Sequence, residues 1–493
     1  MKSMTSEEIR QAVRGRWRWP AGAAEVGGVS TDTRACRPGD CFFALRGPNF
    51  DGHAFLPQAA EGGCVCAVVA QSAELPNGLL ARFPGGVIAV DDTTAALGDL
   101  ASVVRQGLSA RVIGVTGSNG KTTVKRMIHH VLSRRLKGSA SPKSFNNNIG
   151  VPLTLLAVGA GDDYVVCEIG TNAPGEVAAL GRIARPHVAV ITSVGPVHLE
   201  RLIDLEHVAA EKASLLGCLA DGGLGVVWAD SPELERALRA HVAQPFQAVR
   251  PNAQAGKPVP PALAPVTLVR FGTAESADLR LTAYEPTGGG CRFEINGHLR
   301  AELPVPGRHN ANNALAAIAV AVRLGFSREE AAKALRDFAG EAMRLQSMRV
   351  GDITLVNDAY NANPASLAAA AEVLAELPAR RRVIVVGDML ELGPASVEWH
   401  RRAGAALAGG GLGLVVGVGA LGSHVAAGAG ETGGADLEAA RFETLESAAA
   451  ALPALLRAGD VVLLKGSRGM GMEKLVGPIQ RAFGLGQRSD GSC

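Results

Sequence analysis

Gly114-Val115-Thr116-Gly117-Ser118-Asn119-Gly120-Lys121-Thr122-Thr123 is the stretch on which the reading of this chain turns. It follows the apolar run Val112–Val115. It opens a segment in which Val124, Met127, Ile128, Val131 and Leu132 recur at the spacing of one helix face. A glycine-rich turn between a strand and a helix is the context that a phosphate-binding loop requires. Glycines let backbone N–H groups converge on phosphate oxygens, and the helix N-terminus adds positive potential. Lys121 then reaches the terminal phosphates, and the Thr122 hydroxyl is placed to coordinate Mg²⁺. The spacing departs from the common G-x-x-x-x-G-K-T form, because Val115 stands where the first glycine belongs. The alternative is a plain glycine-rich turn with a surface lysine.

Working outward, the pattern divides the 493 residues into three blocks, as a prior of about one domain per 150 residues also suggests. Residues 1–109 hold short strand-like runs at Cys41–Leu45 and Val65–Val69, then a helix from Ala95 to Val104 that Asp91-Asp92-Thr93 caps. Residues 110–326 add strand candidates at Tyr164–Ile169, His187–Thr192 and Val226–Ala229. Strands alternating with helices imply a mostly parallel sheet covered on both faces. Residues about 265–305 change character, and Asn296-Gly297 marks a tight hairpin there, so an antiparallel side sheet is expected. Residues 327–493 carry strands at Ile353–Val356, Val383–Val386, Leu414–Val418 and Val461–Leu464 with helical stretches between, a second doubly wound unit. The expected fold class is therefore α/β in three domains. The tail from Gly486 is polar and reads as frayed.

Composition narrows the function. Hydrophobic residues make up 47% and charged residues 19%, which is globular rather than disordered. A net charge of +2 gives no electrostatic case for nucleic acid. The start, MKSMTSEEIR, lacks a secretory pattern, and Thr5 to Glu8 reads as a capping box. Ala403 to Ser423 is free of charge, but Gly409-Gly410-Gly411 divides it into a helix end, a loop and a strand rather than a membrane span. None of the eight cysteines forms a CxxC pair, so reduced thiols in the cytoplasm are expected.

Several polar residues stand at places where chemistry is built. Glu168 ends an apolar strand, and a carboxylate at the C-terminal tip of a parallel strand is well placed for a ligand; a solvated strand-end charge is the alternative. His198 follows the next strand and Lys212 lies on a helix beyond it. Asn310 and Asn313, in Gly307-Arg308-His309-Asn310-Ala311-Asn312-Asn313-Ala314, carry amides that suit an adenine edge, and asparagine also caps helices.

The phosphate loop resembles the TGSNGKTT loop of the Mur ligases and the related folylpolyglutamate synthetases, and the order of blocks matches that plan over essentially the whole chain. The resemblance implies an N-terminal domain for a UDP-sugar, a central ATPase domain with Gly117, Ser118, Asn119, Gly120, Lys121, Thr122 and Thr123 on ATP, and a Rossmann-like C-terminal domain. It implies Mg²⁺ on Thr122 and Glu168, and a second Mg²⁺ on His198 and Lys212, the latter carbamylated; a solvated helix lysine is the alternative for Lys212. Asn310, Asn313 and Arg344 are implied at the nucleotide, although Glu341-Ala342-Met343 departs from the usual approach to that arginine.

Asn357-Asp358-Ala359-Tyr360-Asn361-Ala362-Asn363-Pro364-Ala365-Ser366 is similar to the DxYNANPxS run of the family member that adds D-alanyl-D-alanine, as are Gly387–Gly393 (GDMLELG) and Lys465-Gly466-Ser467-Arg468. The implied roles put Asp358 at the nucleotide, Tyr360 and Asn361 at the reacting groups, and Lys465 and Ser467 on the dipeptide carboxylate. Ser30, Asp32, Arg34, Gly47 and Asn49 match the UDP-sugar site, and Asn146, Asn147 and Asn148 match a loop that approaches the muramoyl peptide. The implied partners are UDP-N-acetylmuramoyl-tripeptide and D-alanyl-D-alanine, with no nucleic acid and no membrane insertion, acting on a cytoplasmic monomer. A relative that adds another amino acid, and a nucleotide-binding regulator that ligates nothing, are the competing readings.

Overall fold

The structure is a computed structural model that describes residues 2–20, 22–243 and 266–484. The tail from Gly486 and Cys493 lie outside these. The N-terminal block forms a five-stranded sheet from β1 (Arg16–Trp19), β2 (Gly28–Ser30), β3 (Asp40–Phe43), β4 (Cys66–Ala70) and β5 (Val87–Val90) in the order β1-β5-β4-β3-β2, antiparallel only at β1. The expected capping box at Thr5 and Glu8 is present. Helix α1 (Thr93–Gln106) starts where Asp92 accepts the N–H groups of Thr94 and Ala95.

The central sheet is built from β6 (Arg111–Thr116), followed by helix α2 (Lys121–Leu132), β7 (Gly138–Ala140), β8 (Tyr164–Glu168), helix α3 (Glu176–Ala184), β9 (Val188–Ile191), helix α4 (Leu205–Ala213), β10 (Leu224–Trp228), β11 (Thr267–Gly272), β12 (Leu279–Thr287), β13 (Gly290–Ile295) and β14 (Leu299–Leu303). Its order is β14-β13-β12-β11-β10-β9-β6-β8-β7. The chain leaves β6 toward β8 on one side and returns to β9 on the other. The crevice at such a reversal, beyond the carboxyl ends of the strands, is where open α/β sheets bind ligands. Alternate side chains of each strand feed two cores: Ile113, Val115 and Val190 face α2, while Val112, Val165 and Ile191 face the opposite side. That second core continues into the N-terminal block through Phe43, Val68 and Leu97.

Two boundaries differ from expectation. The region about 265–305 is no separate side sheet. Strands β12, β13 and β14 pair antiparallel as expected, but β12 also pairs in parallel with β11, and β11 in parallel with β10, so they extend the central sheet. Strand β11 carries no clean alternation, and its place is set by the neighbours β10 and β12 on either side of it. Likewise, the central unit does not stop at 326. After helix α5 (Arg308–Arg323), helix α6 (Arg328–Ala334) and the turn to Phe338 bury Ala331, Leu335 and Phe338 in the central core. Burial of Leu335 and Phe338 contributes about 1.5–3 kcal/mol each, which holds α6 to that core.

The C-terminal sheet comprises β15 (Gln346–Val350), β16 (Ile353–Asp358), helix α7 (Pro364–Glu376), β17 (Arg381–Val386), helix α8 (Ser396–Ala408), β18 (Leu414–Val418), β19 (Glu438–Phe442) and β20 (Asp460–Lys465), in the order β15-β16-β20-β17-β18-β19. All neighbours but β15 and β16 are parallel. The charge-free stretch from Ala403 to Ser423 is the end of α8, a loop and β18, as expected. Among the described residues no helix is long and apolar enough to cross a membrane.

Candidate active site

The turn between β6 and α2 holds its shape because glycines stand where side chains do not fit. Gly117 has φ +150°, and a Cβ there would lie 1.9 Å from Thr192 Oγ1. Gly120 has φ +82°, and its Cβ would lie 2.5 Å from Asn313 Oδ1. The segment after β9 straps the turn. Ser118 N donates to Ser193 O at 2.9 Å, Asn119 N to Ser193 Oγ at 2.8 Å, and Ser118 Oγ to Gly195 O at 3.0 Å. Lys121 Nζ folds back to donate to Gly117 O at 2.7 Å. Burial holds its ammonium below the ordinary lysine value, against the pull of Glu168. An amine clipped to its own loop is held ready to turn toward an incoming phosphate.

Glu168 ends β8 beside that turn, in register with Val115. It is only 1% exposed, so the solvated-charge alternative falls. Its Oε1 accepts from Asn146 Nδ2 at 3.1 Å. Its Oε2 lies 3.0 Å from Lys125 Nζ, yet it is buried with no aligned hydrogen bond. A buried carboxylate oxygen with open lone pairs fits a hard cation. Thr122, buried nearby, accepts from Arg344 Nη2 at 3.1 Å. Among the described residues no three His, Cys, Asp or Glu side chains cluster as a complete cage. Mg²⁺ does not need one, because it is commonly held by one or two carboxylates together with phosphates and water.

His198 takes a left-handed conformation, φ +53°, ahead of a short helical turn. Its Nδ1 lies 2.5 Å from Glu391 Oε2 of the C-terminal domain, which leaves Nε2 for a cation. Burial lowers its pKa, opposed by Glu391. Lys212, near the end of α4, is 1% exposed. Burial and the Lys121 charge lower its ammonium to about 7. The solvated-helix alternative for Lys212 is therefore overturned.

The C-terminal domain closes onto this floor. Register sets Asp358, the last residue of β16, beside Lys465 of β20, and their Oδ2 and Nζ are 2.5 Å apart. Asn119 and Asn363 exchange amide hydrogen bonds, Asn363 Nδ2 donating to Asn119 Oδ1 at 2.8 Å and Asn119 Nδ2 to Asn363 Oδ1 at 3.3 Å. The Arg344 guanidinium lies 4.1 Å over the Tyr360 ring, and the Tyr360 hydroxyl meets Ser144. The cleft between them is about 890 Å³.

Nearly all the expected nucleotide residues meet there: Ser118 to Thr123, Asn310, Asn313, Arg344 and Asp358 line the cleft, with Asn146, Asn147, Asn148, Tyr360, Asn361 and Lys465. Gly117 shapes the turn from behind. The remaining candidates have other surroundings. Ser467 does not line the cleft; its buried hydroxyl accepts from Leu390 N at 2.9 Å and so holds the 387–390 turn. Lys465 is already committed to Asp358 and Asn361 O. Ser30, Asp32, Arg34, Gly47 and Asn49 stay on the N-terminal domain, outside the cleft. The Arg34 side chain is 88% exposed and paired with Asp32. Lys125, Asn363 and Glu391 were not singled out from the sequence. Lys125 stands one helical turn past Lys121, which is the signal that could have found it.

Comparison with known proteins agrees with this arrangement. Residues 25–105 match the Mur ligase family catalytic domain, 115–257 and 260–321 the Mur ligase middle domain, and 343–468 the glutamate ligase domain of Mur ligases. The chain is 34% identical over 480 residues to the UDP-N-acetylmuramoyl-tripeptide--D-alanyl-D-alanine ligase of Bacillus subtilis, covering 97% of this chain and 98% of that one. It is 34% identical over 463 residues to the Escherichia coli ligase of the same name, covering 92% and 93%. The crystal structure of MurF from Acinetobacter baumannii superimposes with a TM-score of 0.82 at 30% identity, covering 98% of this chain and 99% of that one. With the fold, the phosphate turn and near full-length identity in agreement, the chain belongs to the Mur ligase family.

Proposed function

We propose that this chain is an ATP-dependent ligase that joins D-alanyl-D-alanine to the terminal carboxyl group of UDP-N-acetylmuramoyl-tripeptide. The observation that carries the reading is the single cleft in which the phosphate turn of one sheet faces the Asp358 to Asn363 segment of the other. The tripeptide carboxylate attacks the γ-phosphate, the bond from the γ-phosphorus to the bridging oxygen breaks, and ADP and an acyl phosphate form. The dipeptide amine then attacks that carbonyl, and phosphate leaves. The protein positions the reactants and offsets charge. Lys121 swings from Gly117 O to the γ-phosphate, and the turn's N–H groups hold the neighbouring oxygens. Thr122 and Glu168 hold one Mg²⁺, and His198 Nε2 with a carbamylated Lys212 hold a second. Bound there, the metal neutralises charge that develops on the phosphoryl group. A lysine lowered to about 7 supplies the neutral amine that adds CO₂.

The N-terminal domain binds the UDP-sugar through Ser30, Asp32, Arg34, Gly47 and Asn49. The central domain binds ATP, with Asn310 and Asn313 near adenine, and the C-terminal domain brings Tyr360 and Asn361 to the reacting groups. The enzyme acts as a monomer in the cytoplasm. A substrate panel read by mass spectrometry tests the assignment. The pentapeptide product is expected with D-alanyl-D-alanine, and none with free glutamate or a diamino acid. Product from either of those in place of the dipeptide would assign a different member of the family.

A further inference from the structure

We propose that Lys125 is a positioning residue that ties the carboxylate of Glu168 to the 141–146 loop, and so couples divalent-cation affinity to tripeptide binding. The inference rests on the reading above, in which Glu168 holds Mg²⁺ and the asparagine loop approaches the peptide. Lys125 sits one turn beyond Lys121 on α2, so both ammonium groups come off the same face. Its neighbours Val124, Met127 and Ile128 are core residues, and Lys125 itself is 2% exposed. Burying an ammonium costs several kcal/mol unless partners compensate it. Two partners do. Nζ lies 3.0 Å from Glu168 Oε2, and it donates to the backbone carbonyl of Lys143.

Those two contacts close a ring. Glu168 N donates to Ser141 Oγ at 3.1 Å, Glu168 Oε1 accepts from Asn146 Nδ2, and Gly170 N donates to Asn146 O at 2.8 Å. The loop is thus pinned at both ends to the strand that carries the carboxylate, and in its middle to Lys125. The middle needs a pin, because Lys143 has φ +45°, a left-handed conformation that is strained for a residue with a side chain. From this pinned backbone Ser144 and Asn146 face the cleft. The lysine also acts on the cation. It shares Oε2 without an aligned hydrogen bond, so it balances the carboxylate charge when no metal is bound and opposes a second cation when one arrives.

The test uses the full-length enzyme and two variants. Lys125→Met keeps length and removes both charge and donor. Lys125→Gln removes the charge and keeps a donor for the Lys143 carbonyl. Mn²⁺ binding without nucleotide, followed by electron paramagnetic resonance, is expected to tighten about threefold or more in both variants, because one like charge has left a low-dielectric site. The KM for the tripeptide is expected to rise about tenfold in Lys125→Met and less in Lys125→Gln, with the KM for ATP changed less than about twofold. If Lys125→Met does not fold by thermal denaturation, Lys125→Gln alone decides through its Mn²⁺ affinity. Mn²⁺ affinity unchanged or weaker in a folded variant overturns the proposal, and so does a parallel rise in both KM values. A third variant, with Lys125 intact, separates the layers: if Glu168→Gln leaves Mn²⁺ binding untouched, it is the metal-site reading that fails.

Discussion

Lys121 and Lys212 show how far burial alone can set a role. Removing the phosphate-facing amine by Lys121→Ala should lower kcat by on the order of 10²–10³, the cost of losing one preorganised charge donor; steady-state phosphate release measures it. Lys212 should show a different signature. Its folded-state value of about 7 lies below that of an unfolded lysine, about 10.4. Across that window the unfolded chain holds a proton that the folded chain lacks, so stability should rise with pH there. Lys212→Met should remove this slope, raise thermal stability at pH 7 and abolish ligation. Thermal melts between pH 7 and 10 check the first claim, and an unchanged slope in the variant contradicts it. Motif residues such as Lys121, Glu168 and Asp358 were legible in the sequence because their chemistry depends on local strand–turn context. Lys125 and Glu391 were not, because their partners Glu168 and His198 are remote in the chain and only the fold brings them together. The bond from Leu390 N to the Ser467 hydroxyl was hidden for the same reason, since 77 residues separate the two.

Among the elements, the β6–α2 unit is the one whose local rules all agree. An apolar strand, a glycine turn and a 3.6-residue stripe point to the same structure, and the strand and helix appear as read. The turn is also the least tolerant element. Gly117→Ala places a methyl group 1.9 Å from Thr192 Oγ1 and 3.0 Å from Ser193 N, at a φ that side chains avoid. A loss of about 1–3 kcal/mol in stability is expected, together with a rise in the KM for ATP at little change in the KM for the tripeptide. Equal effects on both substrates would mean that the turn is not specific to the nucleotide. Elements whose placement depends on a remote partner were harder to read. Strand β11 becomes legible only beside β10, and α6 joins the central domain only because Leu335 and Phe338 find that core.

At the scale of the whole molecule, the contacts that join the phosphate turn and its neighbours to the C-terminal domain include Asn119 with Asn363, Thr122 with Arg344, and His198 with Glu391. The first can be weakened by removing the shorter of its two hydrogen bonds. Asn363 also caps α7 through its Oδ1, which accepts from Ser366 N. Asn363→Asp keeps a good cap but cannot donate to Asn119. It should leave thermal stability nearly unchanged, lower kcat about tenfold and enlarge the radius of gyration in small-angle X-ray scattering. An unaltered radius with full activity would show that closure does not use this pair. The three-block order was legible from the alternation of strands and helices, whereas the closure contacts were not, since no local pattern encodes them.

The central claim is that the turn at 114–123 delivers a phosphoryl group to a peptide carboxylate. It is tested most directly by labelling the terminal carboxylate of the tripeptide with ¹⁸O and analysing the phosphate released during ligation. One labelled oxygen in each phosphate is predicted, because the attacking carboxylate oxygen leaves with phosphorus. Unlabelled phosphate, with the ¹⁸O lost from the carboxylate recovered in water, would contradict the account.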